Sequence, residues 1–255
     1  MEVAESSWYR NIWSLDIADM SWTEGTEAQA DFLCSRLGLG RGSRVLDLAC
    51  GFGRHSLALA ERGCRTVGVD ITKEYVDYAQ SQARSRNLDA SFILGDVRNC
   101  AFDGEFDAVI SMGDGAIGYL ENEAENLKIF DAVSRALKPG ARHCMDIMNA
   151  DYAAHHFPLK LWDAGEKCLT LSQFEWNAET NIMLYGQLDF RYGAPLEKPV
   201  IRRGNPTRLY SLSELKPIMQ ARSMQIEESF SDFNSAPSSA DGIQLIVISR
   251  KNLNP

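Results

Sequence analysis

Short apolar runs alternate with stretches in which apolar residues recur every three or four positions, and this rhythm fills residues 26–150. Thr26 to Leu37 puts Ala30, Leu33 and Leu37 on one side and stops at Gly38, which predicts an amphipathic helix with a glycine terminator. The runs Arg44 to Leu48, Thr66 to Val69, Ser91 to Leu94, Phe106 to Ser111 and Arg142 to Met148 predict strands. Between them, Ser56 to Arg62 ends at Gly63, Thr72 caps a helix carrying Val76, Ala79 and Ala83, and Leu120 to Leu137 stops at Lys138-Pro139-Gly140. Strands joined by crossover helices pair in parallel with right-handed connections, so residues 40–150 read as a doubly wound α/β sheet.

Beyond Asn149 the rhythm changes. The segments KCLTLSQFEW and NIMLYGQLDF flank a turn-like Asn177-Ala178-Glu179-Thr180 and predict an antiparallel hairpin, with Val200 to Arg203 as a third strand. Residues 150–208 are therefore expected to form a β-rich insertion, serving as a substrate lid or an oligomer contact. The earlier pattern resumes with a Ser211-capped helix to Ala221 and a closing hairpin, Gln225 to Phe230 and Ile243 to Arg250. The expected organisation is an N-terminal aromatic arm over 1–25, a ligand-binding unit over 26–149 and 209–255, and the insertion over 150–208.

Composition narrows the function. The 255 residues carry a formal net charge of −9, and the 26 Lys and Arg residues are scattered, which disfavours nucleic acid or an anionic membrane as partner. Six cysteines without a C-x-x-C pair suit a reduced, cytoplasmic protein. The N-terminal residues lack a signal-peptide pattern, and no apolar run approaches the roughly 20 residues of a membrane span. A soluble protein acting on a small molecule, as a monomer or homodimer, is the expectation.

The candidate chemistry sits at RVLDLACGFG. Gly51 and Gly53 follow the first strand, and the absence of a Cβ at both lets a ligand meet the backbone. Asp70 closes the second strand, RTVGVD, where a carboxylate can accept both hydroxyl hydrogens of a ribose. Asp96 ends the third, placed to accept from an adenine amino group, while Ile71, Val97 and Met112 are apolar enough to sandwich the ring. Asp47, with Ala49 and Gly51, can hold an amino-acid moiety through its ammonium group. A nicotinamide-dinucleotide turn is the rival reading, and Asp47 argues against it, because a carboxylate there would repel a pyrophosphate.

VLDLACGFG, VGVDI, LGDVR, FDAVISMGD and LKPGA, in this order, resemble the landmarks of class I S-adenosylmethionine-dependent methyltransferases. The resemblance covers residues 26 to 150 and the closing helix and hairpin, and is nearest to small-molecule members with a β-rich insertion after the fifth strand. It implies a mostly parallel, Rossmann-like seven-stranded sheet with its last strand antiparallel. It also implies S-adenosylmethionine as cofactor and S-adenosylhomocysteine as product. Asp47, Ala49, Cys50, Gly51 and Gly53 would lie along the methionine part, Asp70 and Ile71 at the ribose, Asp96 and Val97 at adenine, and Met112 beside the ring or thioether.

The implied reaction is methyl transfer to a nitrogen or oxygen of a small molecule. Competing functions are a non-methylating reaction on the same cofactor, cofactor binding without catalysis, and NAD-dependent oxidoreduction. His155 and His156, just past the fifth strand, are candidate bases, and Tyr119 is a candidate for orienting substrate. Tyr9, Trp13 and Trp22 are candidates for a lid over the sulfonium. No His, Cys or carboxylate spacing suggests a metal, and none is expected.

Overall fold

The strand expected at Arg44 forms as β2, Arg44–Leu48, and its neighbours build the sheet that the pattern predicts. The computed structural model describes residues 1–20, 23–195 and 198–253, without the side chains of 16 and 19. Trp22 lies outside the described residues. Before β2 come the short β1, Glu2–Val3, and α1, Thr26–Leu37, which ends on left-handed Gly38 as expected. Then follow α2 (Arg54–Glu61), β3 (Arg65–Asp70), α3 (Lys73–Ser85), β4 (Ala90–Leu94), β5 (Phe106–Ser111), α4 (Glu123–Ala136) and β6 (Leu137–Met148). The chain continues through α5 (Ala150–His156), β7 (Leu159–Ala164), β8 (Cys168–Asn177), β9 (Ile182–Arg191), β10 (Arg203–Arg208), α6 (Leu212–Gln220), β11 (Met224–Phe230) and β12 (Gln244–Lys251).

The main sheet has the order β11-β12-β6-β5-β2-β3-β4. From β6 to β4 all neighbours are parallel, and β12 runs antiparallel to both β6 and β11. Winding reverses between β2 and β5, so the open crevice above their carboxyl ends is where this architecture accepts a ligand. Two apolar layers clothe the sheet. Ile129, Phe130 and Val133 of α4 join Leu215 and Met219 of α6 on one face; Leu33 of α1 and Ala58 and Leu59 of α2 cover the other. A smaller cluster of Leu57, Val76, Ala79, Ala83 and Phe92 seats α3 beside β4.

The fourth helix departs from expectation. It starts at Glu123, where Asn122 accepts from the Glu125 N–H at 3.1 Å, so Leu120 precedes it and Leu137 already belongs to β6. Lys138-Pro139-Gly140 does not stop the chain's regular structure. It sits in a register irregularity between the pairs Phe106–Leu137 and Ala108–Arg142, where extra residues on β6 need no partner on β5.

Strands β7 to β10, joined at one edge by the N-terminal β1, form a second sheet, ordered β1-β10-β9-β8-β7. The hairpin of β8 and β9 is present around the predicted turn. The third strand is Arg203–Arg208, not Val200 to Arg203, because RGNPTR reads locally as a turn while the Leu184 and Tyr185 backbone offers it a pairing edge. Register places Phe174 and Tyr185 as a pair on one side of this sheet and Phe190, opposite Leu169, on the other. No helix among the described residues is long and apolar enough to cross a membrane.

Candidate active site

Each of the five parallel strands carries an aspartate at or just past its carboxyl end. In sheet order these are Asp146, Asp114, Asp47, Asp70 and Asp96. The sequence reading singled out the last three; the other two complete a row of acids along one edge.

The two glycines of the corner do different work. Gly51 has φ +54, and a Cβ added there meets nothing within 4 Å, so that side of the turn is open. Gly53 has φ +81, and its Cβ would lie 2.8 Å from both Ala79 Cβ and the Phe92 ring. Packing of α3 and β4 by itself therefore requires a glycine at Gly53. Ala49, at φ +56, occupies the left-handed region without being glycine. Cys50 is buried, and its thiol is pushed well up, first by burial and then by Asp47 and Asp70.

Asp70 ties this corner to the next strand. One carboxylate oxygen accepts the Gly51 N–H at 2.8 Å and the other the Thr72 N–H at 2.8 Å, which leaves lone pairs on both. The Thr72 hydroxyl is buried beside Asp70 without a well-aligned hydrogen bond. Open space at Gly51, spare acceptors on Asp70 and a poorly satisfied hydroxyl fit a ligand bearing vicinal hydroxyls. Ile71 is half-buried, and Val97 and Met112 are buried in core clusters.

Asp47 is 1% exposed and accepts from Ser56 Oγ at 2.7 Å. Burial pushes its pKa up to about 7, against the lowering effects of Ser56 and Arg54. Arg54, at the start of α2, donates to Thr26 Oγ1 at 2.9 Å and Gln29 Oε1 at 2.5 Å. Its pKa falls to about 10 through burial, opposed by Asp146 and Asp47. The sequence analysis passed over Arg54 and Ser56, although their place at the first helix turn after a glycine corner is the signal that finds them.

Asp96 is already engaged. Its carboxylate accepts from Arg98 Nε at 2.9 Å and Nη2 at 2.6 Å and lies 3.5 Å from Arg10, while capping the short turn Val97–Asn99. These contacts, the Arg98 hydrogen bond foremost, hold its pKa below the usual value. The carboxylate expected at an adenine amino group is thus also the partner of an arginine.

Past β5, residues 113–116 all have positive φ, a left-handed turn built on Gly113-Asp114-Gly115-Ala116. It aims Asp114 back at the sheet, where its oxygens accept the Met148 N–H at 3.0 Å and the Tyr119 hydroxyl at 2.8 Å. Burial raises the Asp114 pKa. Asp146 is 5% exposed, and burial followed by repulsion from Asp114 brings it to about 7, with Arg54 and the Gly113 N–H opposing. Asp146 and Asn149 are both buried, and Asn149 caps α5 and donates to the carbonyls of Ser239 and Gly242.

Tyr119 is held by Asp114, stacked on Trp13 at 6.1 Å and tilted against Trp8 at 4.9 Å. This N-terminal segment is a packed strap. Trp8 and Tyr9 are buried, Trp8 Nε1 donates to Pro206 O at 3.1 Å, and Tyr9 donates to Glu121 at 2.7 Å. Tyr9 is therefore removed from the lid candidates, while Trp13 stays half-buried. Farther along, Ser14 O accepts from Tyr75 of α3 at 2.9 Å, and Met20 Sδ lies 3.9 Å from Thr170 Oγ1 of β8. His155 and His156 end α5 instead of lying in a loop. His155 Nδ1 is 2.7 Å from Asp151 O, and His156 stacks on Tyr152 at 4.2 Å with Nε2 3.6 Å from Asp241.

Residues 45–140 match a family model described as a methyltransferase domain. The chain is 27% identical over 249 residues to the "putative methyltransferase YqeM" of Bacillus subtilis, covering 91% of this chain and 90% of that protein. Its fold is similar to a crystal structure of an S-adenosylmethionine-dependent methyltransferase from Clostridium acetobutylicum, with a TM-score of 0.76 at 17% identity, covering 93% of this chain and 96% of that one. It is also similar to 1,6-didemethyltoxoflavin-N1-methyltransferase of Burkholderia thailandensis with bound 1,6-didemethyltoxoflavin and S-adenosylhomocysteine. There the TM-score is 0.61 at 16% identity, covering 99% of this chain and 92% of that one.

Proposed function

Because the chain belongs to the class I S-adenosylmethionine-dependent methyltransferases, we propose that it methylates a nitrogen or oxygen of a small molecule in the crevice above β2 and β5. The observation that carries this reading is the corner itself, where Gly51 is open on the side that Asp70 borders. S-adenosylmethionine, when bound, supplies a methyl group already activated by a positive sulfur.

The chain's own residues then have three tasks. Asp70 accepts the ribose hydroxyls with the lone pairs left by Gly51 and Thr72, and Ile71, Val97 and Met112 present apolar surface to the adenine. Asp47, Asp114 and Asp146 are buried carboxyls, raised by desolvation, on the side of the row toward β5 and β6, and a cation brought beside them favours their charged forms. The strap and the second sheet border the crevice and limit water, so that an acceptor is held in line without needing a strong base. A small-molecule acceptor is supported by the net charge of −9 and by the bound metabolite named for the Burkholderia relative.

The test is calorimetry with S-adenosylmethionine and S-adenosylhomocysteine, followed by an assay for S-adenosylhomocysteine on incubation with metabolite extracts. Micromolar binding and acceptor-dependent product are expected. Absence of binding to either compound by folded protein overturns the reading.

A further inference from the structure

The second sheet carries two mostly polar cross-strand rows on one side, with two apolar rows on the opposite side. Strand register places Trp162, Leu171 and Leu188 in one cross-strand row, and Ala164, Leu169 and Phe190 in the next, all on one side. The other side carries the rows Leu161, Ser172, Gln187 and Asp163, Thr170, Asp189. A β-sheet alternates sides residue by residue, and farther along the side of these polar rows Leu159, Phe174 and Tyr185 form one apolar row and Trp176 faces Met183 in the next.

The side that carries the two polar rows is the one turned toward α5. Its row of Leu159, Phe174 and Tyr185 packs over Ala150 and Ala153 of α5, directly after β6. Tyr185 lies near enough to Tyr119 to help raise that phenol's pKa, after burial and Asp114. Thr170, one row beyond Ser172, touches Met20 of the strap. From Tyr185 outward the side chains form a hydrogen-bonded ladder. Ser172 Oγ is 3.3 Å from Tyr185 Oη, Tyr185 donates to Gln187 at 2.5 Å, Gln187 donates to Asp189 at 3.0 Å, and Thr170 donates to Asp189 at 2.6 Å. Gln187 and Asp189 are exposed. A preorganised polar ladder with open ends, beginning beside Tyr119, is a surface built to be hydrogen-bonded.

At its inner end stands the Tyr119 hydroxyl bonded to Asp114, with Asp146 next to Asp114. Resting on the function proposed above, we propose that the acceptor is a small hydroxyl-bearing amine. Its ammonium form is drawn to Asp114 and Asp146, and its hydroxyl groups lie along the ladder of Ser172, Tyr185 and Gln187. A cation relieves the repulsion between two neighbouring buried carboxylates, which a neutral phenol does not. Asp146, faced by Asp114, Arg54 and the Gly113 N–H, takes the ammonium proton and passes it to solvent. The neutral nitrogen then uses its lone pair to form the N–CH3 bond as the CH3–S bond breaks and its electron pair returns to sulfur. N-methylammonium and S-adenosylhomocysteine are the products.

The experiment uses the full chain, methyl-labelled S-adenosylmethionine, and three probe sets: monoaminated pentoses and hexoses, the same sugars without the amine, and catechols. Cofactor binding is measured in parallel. Label is expected in the aminated sugars, with Gln187→Leu raising KM about tenfold, the loss of one hydrogen bond, at unchanged cofactor affinity. Asp146→Asn is expected to lower kcat and to shift the acid limb of the pH profile. Label in the amine-free sugars or catechols instead, no label in any aminated sugar at saturating cofactor, or a KM indifferent to Gln187→Leu overturns this inference. Loss of cofactor binding in the unmodified chain is a different result and overturns the function beneath it.

Discussion

Two residues that look alike in sequence, Gly51 and Gly53, separate the ligand's requirements from the fold's. Alanine at Gly53 meets Ala79 and Phe92 at 2.8 Å in a left-handed conformation. It is expected to lower stability by roughly 2–5 kcal/mol, from backbone strain and overpacking together. Alanine at Gly51 carries only the backbone penalty, about 1–2 kcal/mol, yet puts a methyl group into the open side of the corner. Calorimetric unfolding should therefore rank Gly53→Ala as the less stable variant, while cofactor titration should show Gly51→Ala at least tenfold weaker than the unmodified chain. Cofactor affinity within twofold of normal for Gly51→Ala would move the donor away from this turn. Asp47 gives a pH signature. Its folded pKa, about 7, lies above the unfolded value near 3.9, so the folded state binds the proton more tightly. The stabilisation from that proton is complete below the unfolded value and is lost as pH rises toward 7. Asp47→Asn, neutral at every pH, should gain stability relative to the unmodified chain between pH 5 and pH 8, read by urea unfolding without ligand. A difference independent of pH contradicts the assignment.

At the scale of elements, the strap over residues 8–20 is anchored at both ends. Trp8 sits on Pro206 and Tyr119 at one end, and the Tyr75 hydroxyl holds Ser14 O at the other. Removing the second anchor by Tyr75→Phe should destabilise the segment by about 0.5–1.5 kcal/mol, the net contribution of one hydrogen bond. Hydrogen exchange at residues 14–18 should quicken accordingly, with α4 and β6 unchanged; equal protection in both proteins means the anchor is elsewhere. The strap also marks where the sequence stops being legible. Strands β2 and β5 were readable to the residue and β3, β4, β11 and β12 to within one, because apolar runs bounded by turn signals report burial on the chain itself. β10 was displaced because Pro206 and Gly204 argue locally for a turn, and only pairing with β9 and β1 overrides them. β1, two residues long, has no periodicity to read. The site divides in the same way. Asp70 follows from its strand end, whereas the union of Asp114 with Asp146 depends on a left-handed turn that folds one strand's loop onto the next.

The whole molecule combines a net charge of −9 with five aspartates concentrated along one sheet edge, two of them, Asp47 and Asp146, sharing the influence of Arg54. S-adenosylmethionine carries one more positive charge than S-adenosylhomocysteine, and the two are otherwise alike near the sulfur. The acid row should therefore prefer donor over product, and the long-range part of that preference should weaken with salt. At 0.1 M ionic strength charges more than about 10 Å apart are largely screened, while the partly buried pairs at the crevice floor are not. Raising sodium chloride from 20 to 300 mM is expected to reduce the ratio of donor to product affinity several-fold without abolishing it. Parallel titrations of both compounds measure this. Product release follows from the same charge difference, because methyl transfer removes the positive sulfur that the acids favour and moves the new charge to the acceptor. An affinity ratio near one at low salt would show that the acid row is too well neutralised by Arg54, Arg98 and Arg10 to distinguish the compounds, and the charge-based account of binding and release would fail together.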